Sequence, residues 1–242
     1  MKIKAKLRQS GFSLIELLIV ALLLSIVVGA IFSQIERAQV RYRVESQKLD
    51  LTQQERDFID QFTRDLHQAA YPSPRLFANR YDLSSGLTAV GVWSISQTDL
   101  AMEGDVDSDG VVEVIRYHYD DGSTWGGPGG NPCPCLRRSS NSKVDGAWPW
   151  AQPAPVYYTQ VQNVIPIAGQ PLFLAYAADG SVIDTSVPLV LSSAAQTDPT
   201  FQKLLNIKAV RITFTTQGTA NDSDLHKSIQ VTMTGMARLP NN

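Results

Sequence analysis

The chain has 242 residues, a formal net charge of −2 and 43% hydrophobic residues. This length suits one domain with an anchor, or at most two small domains. The acidic balance argues against nucleic-acid binding, which needs a basic face. The sequence contains no nucleophile elbow, zinc-peptidase motif, phosphate loop or C-x-x-C pair, so we predict that the protein is not an enzyme.

The first predicted element is an apolar helix from Phe12 to Phe32. Its 21 residues carry one charge, Glu16, and no proline. A helix of this length spans the roughly 30 Å hydrocarbon core of a bilayer. Four basic residues and no acidic residue precede it, which predicts that this end stays in the cytoplasm. We therefore expect a single pass through the inner membrane with a head in the periplasm.

The residues around Gly11 follow a specific order. They read K-L-R-Q-S-G and then F-S-L-I-E-L-L-I-V, which resembles the processing motif of type IV prepilins. The resemblance implies that residues 1–11 are a leader, that prepilin peptidase cuts after Gly11, and that the same enzyme methylates Phe12. Losing four positive charges would leave a mature chain of 231 residues with a net charge of −6.

Glu16 is the unusual residue of this segment, because a carboxylate in a membrane helix costs about 2.5 kcal/mol or more unless it is paired. The resemblance implies that Glu16 pairs with the free amine of a neighbouring subunit during assembly. Alternatively, Glu16 is hydrated at the level of the lipid headgroups. For the whole segment, the alternatives are a plain signal anchor and a secretory signal peptide cleaved near Val28-Gly29-Ala30.

Residues 33–70 are predicted to continue the helix beyond the membrane. They contain no proline or glycine, and Phe58, Phe62 and Leu66 share one face through their spacing. We expect this face to pack on a sheet and the helix to end before Tyr71-Pro72. A separate coiled-coil linker is the alternative, although the apolar repeat is shorter than coiled coils need.

Residues 71–242 alternate β-branched and aromatic residues with turn residues, which predicts a β-rich head. The expected strands are Leu87–Ser96, Val112–Tyr119, Tyr157–Ile167, Pro171–Ala177, Ile207–Thr216 and Ser228–Arg238. The last two alternate cleanly and predict a half-buried antiparallel hairpin. The fold class is thus α+β and type IV pilin-like, with a long N-terminal helix packed on an antiparallel sheet.

The order of these elements resembles the larger minor pilins of the PilW type. The resemblance implies a pilus subunit that assembles with other pilins through its N-terminal helix. One alternative is a J-type pseudopilin of type II secretion. Another, from a different class, is a membrane-anchored periplasmic binding module.

Gly122–Pro155 is predicted to be a long loop, since many of its residues are glycine or proline. Its tryptophans Trp125, Trp148 and Trp150 suit either a contact surface or a cap over the sheet. Cys133 and Cys135 lie in this loop, and in an exported domain a disulfide between them is one expectation. A metal site and free or intermolecular thiols are the other two.

One motif predicts a cation site. Asp105, Asp107 and Asp109 alternate and Gly110 follows, as at the start of a calcium loop, with Glu113 at the ninth position. The twelfth position holds Arg116 instead of a bidentate glutamate, and no helix is expected after the loop. The site is therefore either a calcium loop that leads into a strand or a solvated acidic turn.

Overall fold

The computed structural model describes residues 13–73, 82–123, 132–193, 197–222 and 227–240. Helix α1 (Leu14–Gln68) leads into a head of antiparallel sheets. This is the α+β, type IV pilin-like arrangement that the sequence predicts. The helix is continuous for 55 residues, which fits the absence of proline between its ends. It stops two residues before Ala70, whose φ of 63° leaves the helical region.

The head contains eleven described strands and a short helix. In chain order they are β1 (Val92–Ile95), β2 (Asp99–Gly104), β3 (Glu113–Asp121), β4 (Pro134–Ser142), β5 (Tyr158–Val161), β6 (Val164–Ile165), β7 (Phe173–Tyr176), β8 (Val182–Ile183), β9 (Leu189–Val190), α2 (Pro199–Leu205), β10 (Ala209–Asp222) and β11 (Lys227–Arg238). A 3₁₀ turn, Pro149–Ala151, lies between β4 and β5.

The strands form two sheets. The first has the order β5-β4-β3-β2-β1-β9, and the second has the order β11-β10-β7-β8, with β6 also paired to β10. All pairings are antiparallel. Val210, Ile212 and Phe214 of β10 are buried as the alternation predicts.

The second half of α1 packs between the two sheets. Its buried side chains begin at Leu51 and continue through Glu55, Phe58, Phe62, Asp65 and Leu66. The Phe62 ring lies 5.3 Å from that of Tyr117 in β3 and 6.2 Å from that of Phe173 in β7. Phe62 therefore joins the helix to both sheets, and the prediction of a helix face packed on the sheet is confirmed, rather than a free coiled coil.

Two expectations about the head are wrong. The predicted strand Tyr157–Ile167 is two strands, β5 and β6, in different sheets; the chain turns at Asn163, whose φ is 55°. The stretch Gly122–Pro155 is not one loop, because it contains β4 and the 3₁₀ turn. Strands β2, β8 and β9 and helix α2 were not foreseen, since they are short or rich in polar residues.

Candidate functional site

The outer half of α1, residues 14–32, presents apolar side chains on every side. Leu14 is 80% exposed and Phe32 is 63% exposed, and the large aliphatic residues between them are exposed as well. Within the described residues, α1 is the helix long and apolar enough to cross a membrane. Ser25 and Ser33 are satisfied within the helix: the Ser25 hydroxyl donates to the Leu22 carbonyl at 2.8 Å, and that of Ser33 to the Ala30 carbonyl at 2.9 Å. This surface suits contact with lipid or with other apolar helices.

The predicted processing residues Gly11 and Phe12 lie outside the described residues. Glu16 is described and lies in the first turn of α1, where its side chain is exposed. A carboxylate at this end of a helix interacts favourably with the helix dipole. Glu16 is thus positioned at the tip of the apolar segment, facing outward.

The inner half of α1, residues 51–68, is held to the first sheet by a buried carboxylate that the sequence analysis did not identify. Asp65 accepts hydrogen bonds from Tyr117 Oη at 2.6 Å, Arg138 Nε at 2.7 Å and Gln61 Nε2 at 2.6 Å. Burial raises the pKa of Tyr117 well above its usual value, and the neighbouring Asp65 charge adds to the rise. Tyr117 therefore stays a hydrogen-bond donor, and Asp65 ties the helix to β3 and β4.

A second buried carboxylate faces the second sheet. Glu55 Oε1 accepts a hydrogen bond from the Thr216 hydroxyl at 2.6 Å, while its Oε2 is buried without a partner among the described residues. Burial raises the pKa of Glu55, and the bond from Thr216 opposes that rise. Glu55 and Asp65 are spaced by three residues from Phe58 and Phe62, so helix geometry places both carboxylates on the buried face. This spacing could have identified them from the sequence.

The predicted cation residues lie in the loop between β2 and β3. Asp105, Asp107 and Asp109 each offer a carboxylate oxygen, and these oxygens lie within 4.8 Å of one another. Asp105 Oδ2 accepts a hydrogen bond from the Gly110 N–H at 3.1 Å across the loop. Ser108 and Gly110 have φ of 62° and 88°, which lets the loop curl around the carboxylates.

Glu113 lies outside that group of oxygens but folds back over the same loop. Its Oε2 accepts a hydrogen bond from the Val106 N–H at 3.0 Å. Burial raises the pKa of Glu113 to about 7, and the nearby charges of the three aspartates contribute to the rise. Arg116, at the twelfth position, points elsewhere: its Nη1 donates to the Pro153 carbonyl at 3.1 Å.

Cys133 and Cys135 lie at the start of β4 with their Cα atoms 5.4 Å apart, a separation that a disulfide can bridge. Asp120 is close enough to form a three-residue ligand group with them. However, the fully buried Arg137 donates to Asp120 Oδ2 through Nε at 3.2 Å and Nη2 at 3.0 Å. The guanidinium therefore already compensates the Asp120 charge, which disfavours a metal at this position.

Two of the three predicted tryptophans lie at the 3₁₀ turn, Trp148 as its cap residue and Trp150 within it. The rings of Trp148 and Trp150 stack with centroids 5.2 Å apart. Trp150 packs against the core, whereas Trp148 is 37% exposed. Trp150 thus covers the core, and Trp148 is accessible to solvent. Trp125 lies outside the described residues.

Comparison with protein families identifies one match. Residues 6–32 match the family described as the prokaryotic N-terminal methylation motif, which supports a type IV prepilin-like protein. The family points to structural subunits that prepilin peptidase processes and that assemble with other pilins, in pili or as pseudopilins, and not to enzymes. With the apolar outer half of α1, the match fits a membrane-anchored pilin. Comparisons with curated proteins and with solved structures gave no match.

Proposed function

We propose that the protein is a minor pilin-like subunit of a type IV pilus, cleaved after Gly11 and methylated on Phe12. It crosses the inner membrane once, through residues 12–32, and holds its head in the periplasm until assembly. The observation that carries the proposal is the contrast within α1. Its outer half has an exposed apolar surface next to a processing motif, whereas its inner half is packed into the head.

The outer half supports assembly by helix packing. Exposed apolar residues on all sides of a helix are stable in a bilayer and equally against sibling helices of the same kind. Glu16 at the tip would pair with the amine of a neighbouring first residue, which would set the axial position of one subunit against the next. An unpaired carboxylate in a membrane helix is costly, so pairing with the amine favours assembly.

The size of the head supports a minor subunit. In the described part of the head, two sheets of six and five strands follow the helix, in a mature chain of 231 residues. A head of this kind suits a tip or initiating complex better than the repeated fibre subunit. The Cys133–Cys135 bond is part of the same proposal, since an exported head folds under oxidising conditions. The peptide that holds both cysteines should resist alkylation until it is reduced.

Mass spectrometry of the N-terminal peptide tests the processing step. Sheared surface fibres and membranes are analysed separately in the natural host. A peptide that begins with methylated Phe12 in the fibre fraction supports the proposal. The same peptide confined to membranes favours a pseudopilin of type II secretion, while a retained Met1 or a start near Ile31 contradicts the proposal.

The variant Glu16→Ala tests assembly. We expect the protein to reach the membrane at normal levels but to disappear from the fibre fraction, because the partner for the neighbouring amine is lost. Glu36→Ala, at an exposed position further along α1, is the matched control and should assemble normally. Unchanged incorporation of Glu16→Ala into fibres would contradict the pairing role of Glu16. Absence of the natural chain and of both variants from the fibre fraction would instead support a membrane-anchored binding module.

A further inference from the structure

The loop between β2 and β3 has a feature that an ordinary acidic turn lacks. Asp105 is only 4% exposed, and its Oδ1 has no hydrogen-bond partner among the described residues. Its Oδ2 is held by the Gly110 N–H across the loop, so the carboxylate is turned towards Asp107 and Asp109. A buried carboxylate oxygen without a donor is costly, and a cation at this position would satisfy it.

We propose that this loop binds a calcium ion through Asp105, Asp107 and Asp109, and that the bound ion stiffens the joint between α1 and the head. The three carboxylate oxygens within 4.8 Å of one another supply the first ligands. The backbone carbonyl of Val111 and the carboxylate of Glu113 occupy the seventh and ninth positions of the loop, which contribute ligands in calcium loops.

The donor set selects the class of metal. All of these ligands are oxygens, which suits a hard cation such as Ca²⁺ and not zinc or copper. Mg²⁺ demands a tighter octahedral shell and gives up its water reluctantly, so an irregular loop favours Ca²⁺. Since Arg116 replaces the bidentate glutamate of the twelfth position, we expect a dissociation constant of about 10⁻⁴–10⁻³ M, in the range of extracellular modules.

The joint between α1 and the head, formed by residues 68–71 and 103–105, lies directly beside this loop. The Asp105 N–H donates to the Tyr71 carbonyl at 2.8 Å, and the Ala70 N–H donates to the Glu103 carbonyl at 2.9 Å. Ala69 also forms a bridge with Gly104. A side chain at Gly104 would clash with the Gln68 carbonyl, so the end of α1 and β2 are in close contact. An ion that fixes Asp105 therefore also fixes the strand end on which α1 rests.

Calorimetric titration tests binding. The full chain in detergent, stripped with a chelator, is titrated with CaCl₂ and separately with MgCl₂. We expect heat from Ca²⁺, at least tenfold weaker binding of Mg²⁺, and at least tenfold weaker Ca²⁺ binding by Asp107→Asn and Asp109→Asn. Both aspartates are exposed, so these variants should fold. Asp179→Asn, in the exposed turn before β8, is the matched control and should bind as the natural chain does.

Hydrogen exchange tests the effect on the joint. Added Ca²⁺ should slow exchange at least tenfold at the amides of Ala70 and Asp105 in the natural chain, and not in Asp107→Asn. The absence of Ca²⁺ heat, or equal binding by both loop variants, would overturn the site. Binding without slower exchange at those two amides would overturn the joint. Neither result bears on processing after Gly11, which the mass spectrum of the N-terminal peptide decides independently.

Discussion

The two halves of α1 belong to one uninterrupted helix but face different surroundings. The outer half carries exposed apolar side chains and a single charge, Glu16, near its tip. The inner half buries Phe58 and Phe62 together with two carboxylates, Glu55 and Asp65. We propose that Glu16 pairs with a group outside the chain, whereas Glu55 and Asp65 accept hydrogen bonds from residues of the two sheets. The outer half therefore offers its apolar surface to lipid or to other helices, and the inner half holds the head.

The largest effect should come from removing the central aromatic ring of the inner half. Phe62→Ala leaves a cavity among Phe58, Tyr117 and Phe173, whose rings lie 5.3–6.3 Å from that of Phe62. We expect the head to lose about 3–5 kcal/mol of its free energy of unfolding. Urea unfolding of the full chain in detergent, followed by tryptophan fluorescence, measures the loss, because all four tryptophans lie after residue 90.

Phe32→Ala is the control for that comparison. Phe32 is exposed on the outer half, so its truncation should change the free energy of unfolding of the head by no more than about 0.5 kcal/mol. A similar loss in both variants would show that the two halves are not energetically separate, and would contradict the division of α1.

The next largest effect should come from removing Asp65, the buried carboxylate that pairs with the Arg138 guanidinium. Asp65→Ala leaves the Tyr117 hydroxyl and the Arg138 guanidinium without their acceptor. Removing one partner of a buried ion pair costs about 3 kcal/mol at the low end, which suits Arg138 because its side chain is 17% exposed. The same urea unfolding curves measure this loss.

Two further variants sharpen the Asp65 prediction. Asp57→Ala removes an exposed carboxylate of the same helix, which accepts from Gln53, and should have almost no effect. The double variant Asp65→Ala with Arg138→Ala should lose less than the sum of the two single losses, because the arginine is no longer left unpaired. Strict additivity would mean that the two residues do not stabilise the fold as a pair.

The sequence predicted most of this division because its signals are local. The apolar run of Phe12–Phe32 and the three-and-four spacing through Leu66 depend only on helix geometry. The hairpin of β10 and β11 follows from alternation along each strand. The match of residues 6–32 to the methylation motif concerns the same short segment that the prepilin resemblance used.

What the sequence could not predict depends on contacts between distant residues. Strand β4 reads as polar loop because Arg137 and Ser139 are buried in it. The burial of Arg137 is compensated by its pairing with Asp120 and its hydrogen bond to Thr159 Oγ1. In the same way, Lys143 is buried because it donates to Glu103 Oε2 at 2.8 Å. The unpartnered oxygen of Asp105 likewise depends on a burial that the D-x-D-x-D-G pattern does not reveal.

The smallest expected effect is a difference between Glu55 and Asp65 in how the free energy of unfolding depends on pH. Asp65 has a cationic partner, whereas Glu55 accepts neutral hydrogen bonds from Thr216. Burial raises the pKa of Glu55, so the folded state holds this proton more tightly than the unfolded state does. The resulting stability is fully present below the unfolded pKa, about 4.3, and is lost as the pH rises through the higher folded pKa.

Glu55→Gln removes that titration while keeping an oxygen for the Thr216 hydroxyl. Urea midpoints between pH 4 and pH 7 should therefore fall less steeply in Glu55→Gln than in the natural chain, so the variant gains relative stability towards neutral pH. Thr216→Val removes the side-chain bond, one of the two bonds from Thr216 that oppose the rise in the pKa of Glu55, so its loss of stability should extend to higher pH. Parallel profiles for all three chains would mean that Glu55 is as well solvated as a surface carboxylate, and the inner half of α1 would then rest on Asp65 and its aromatic residues alone.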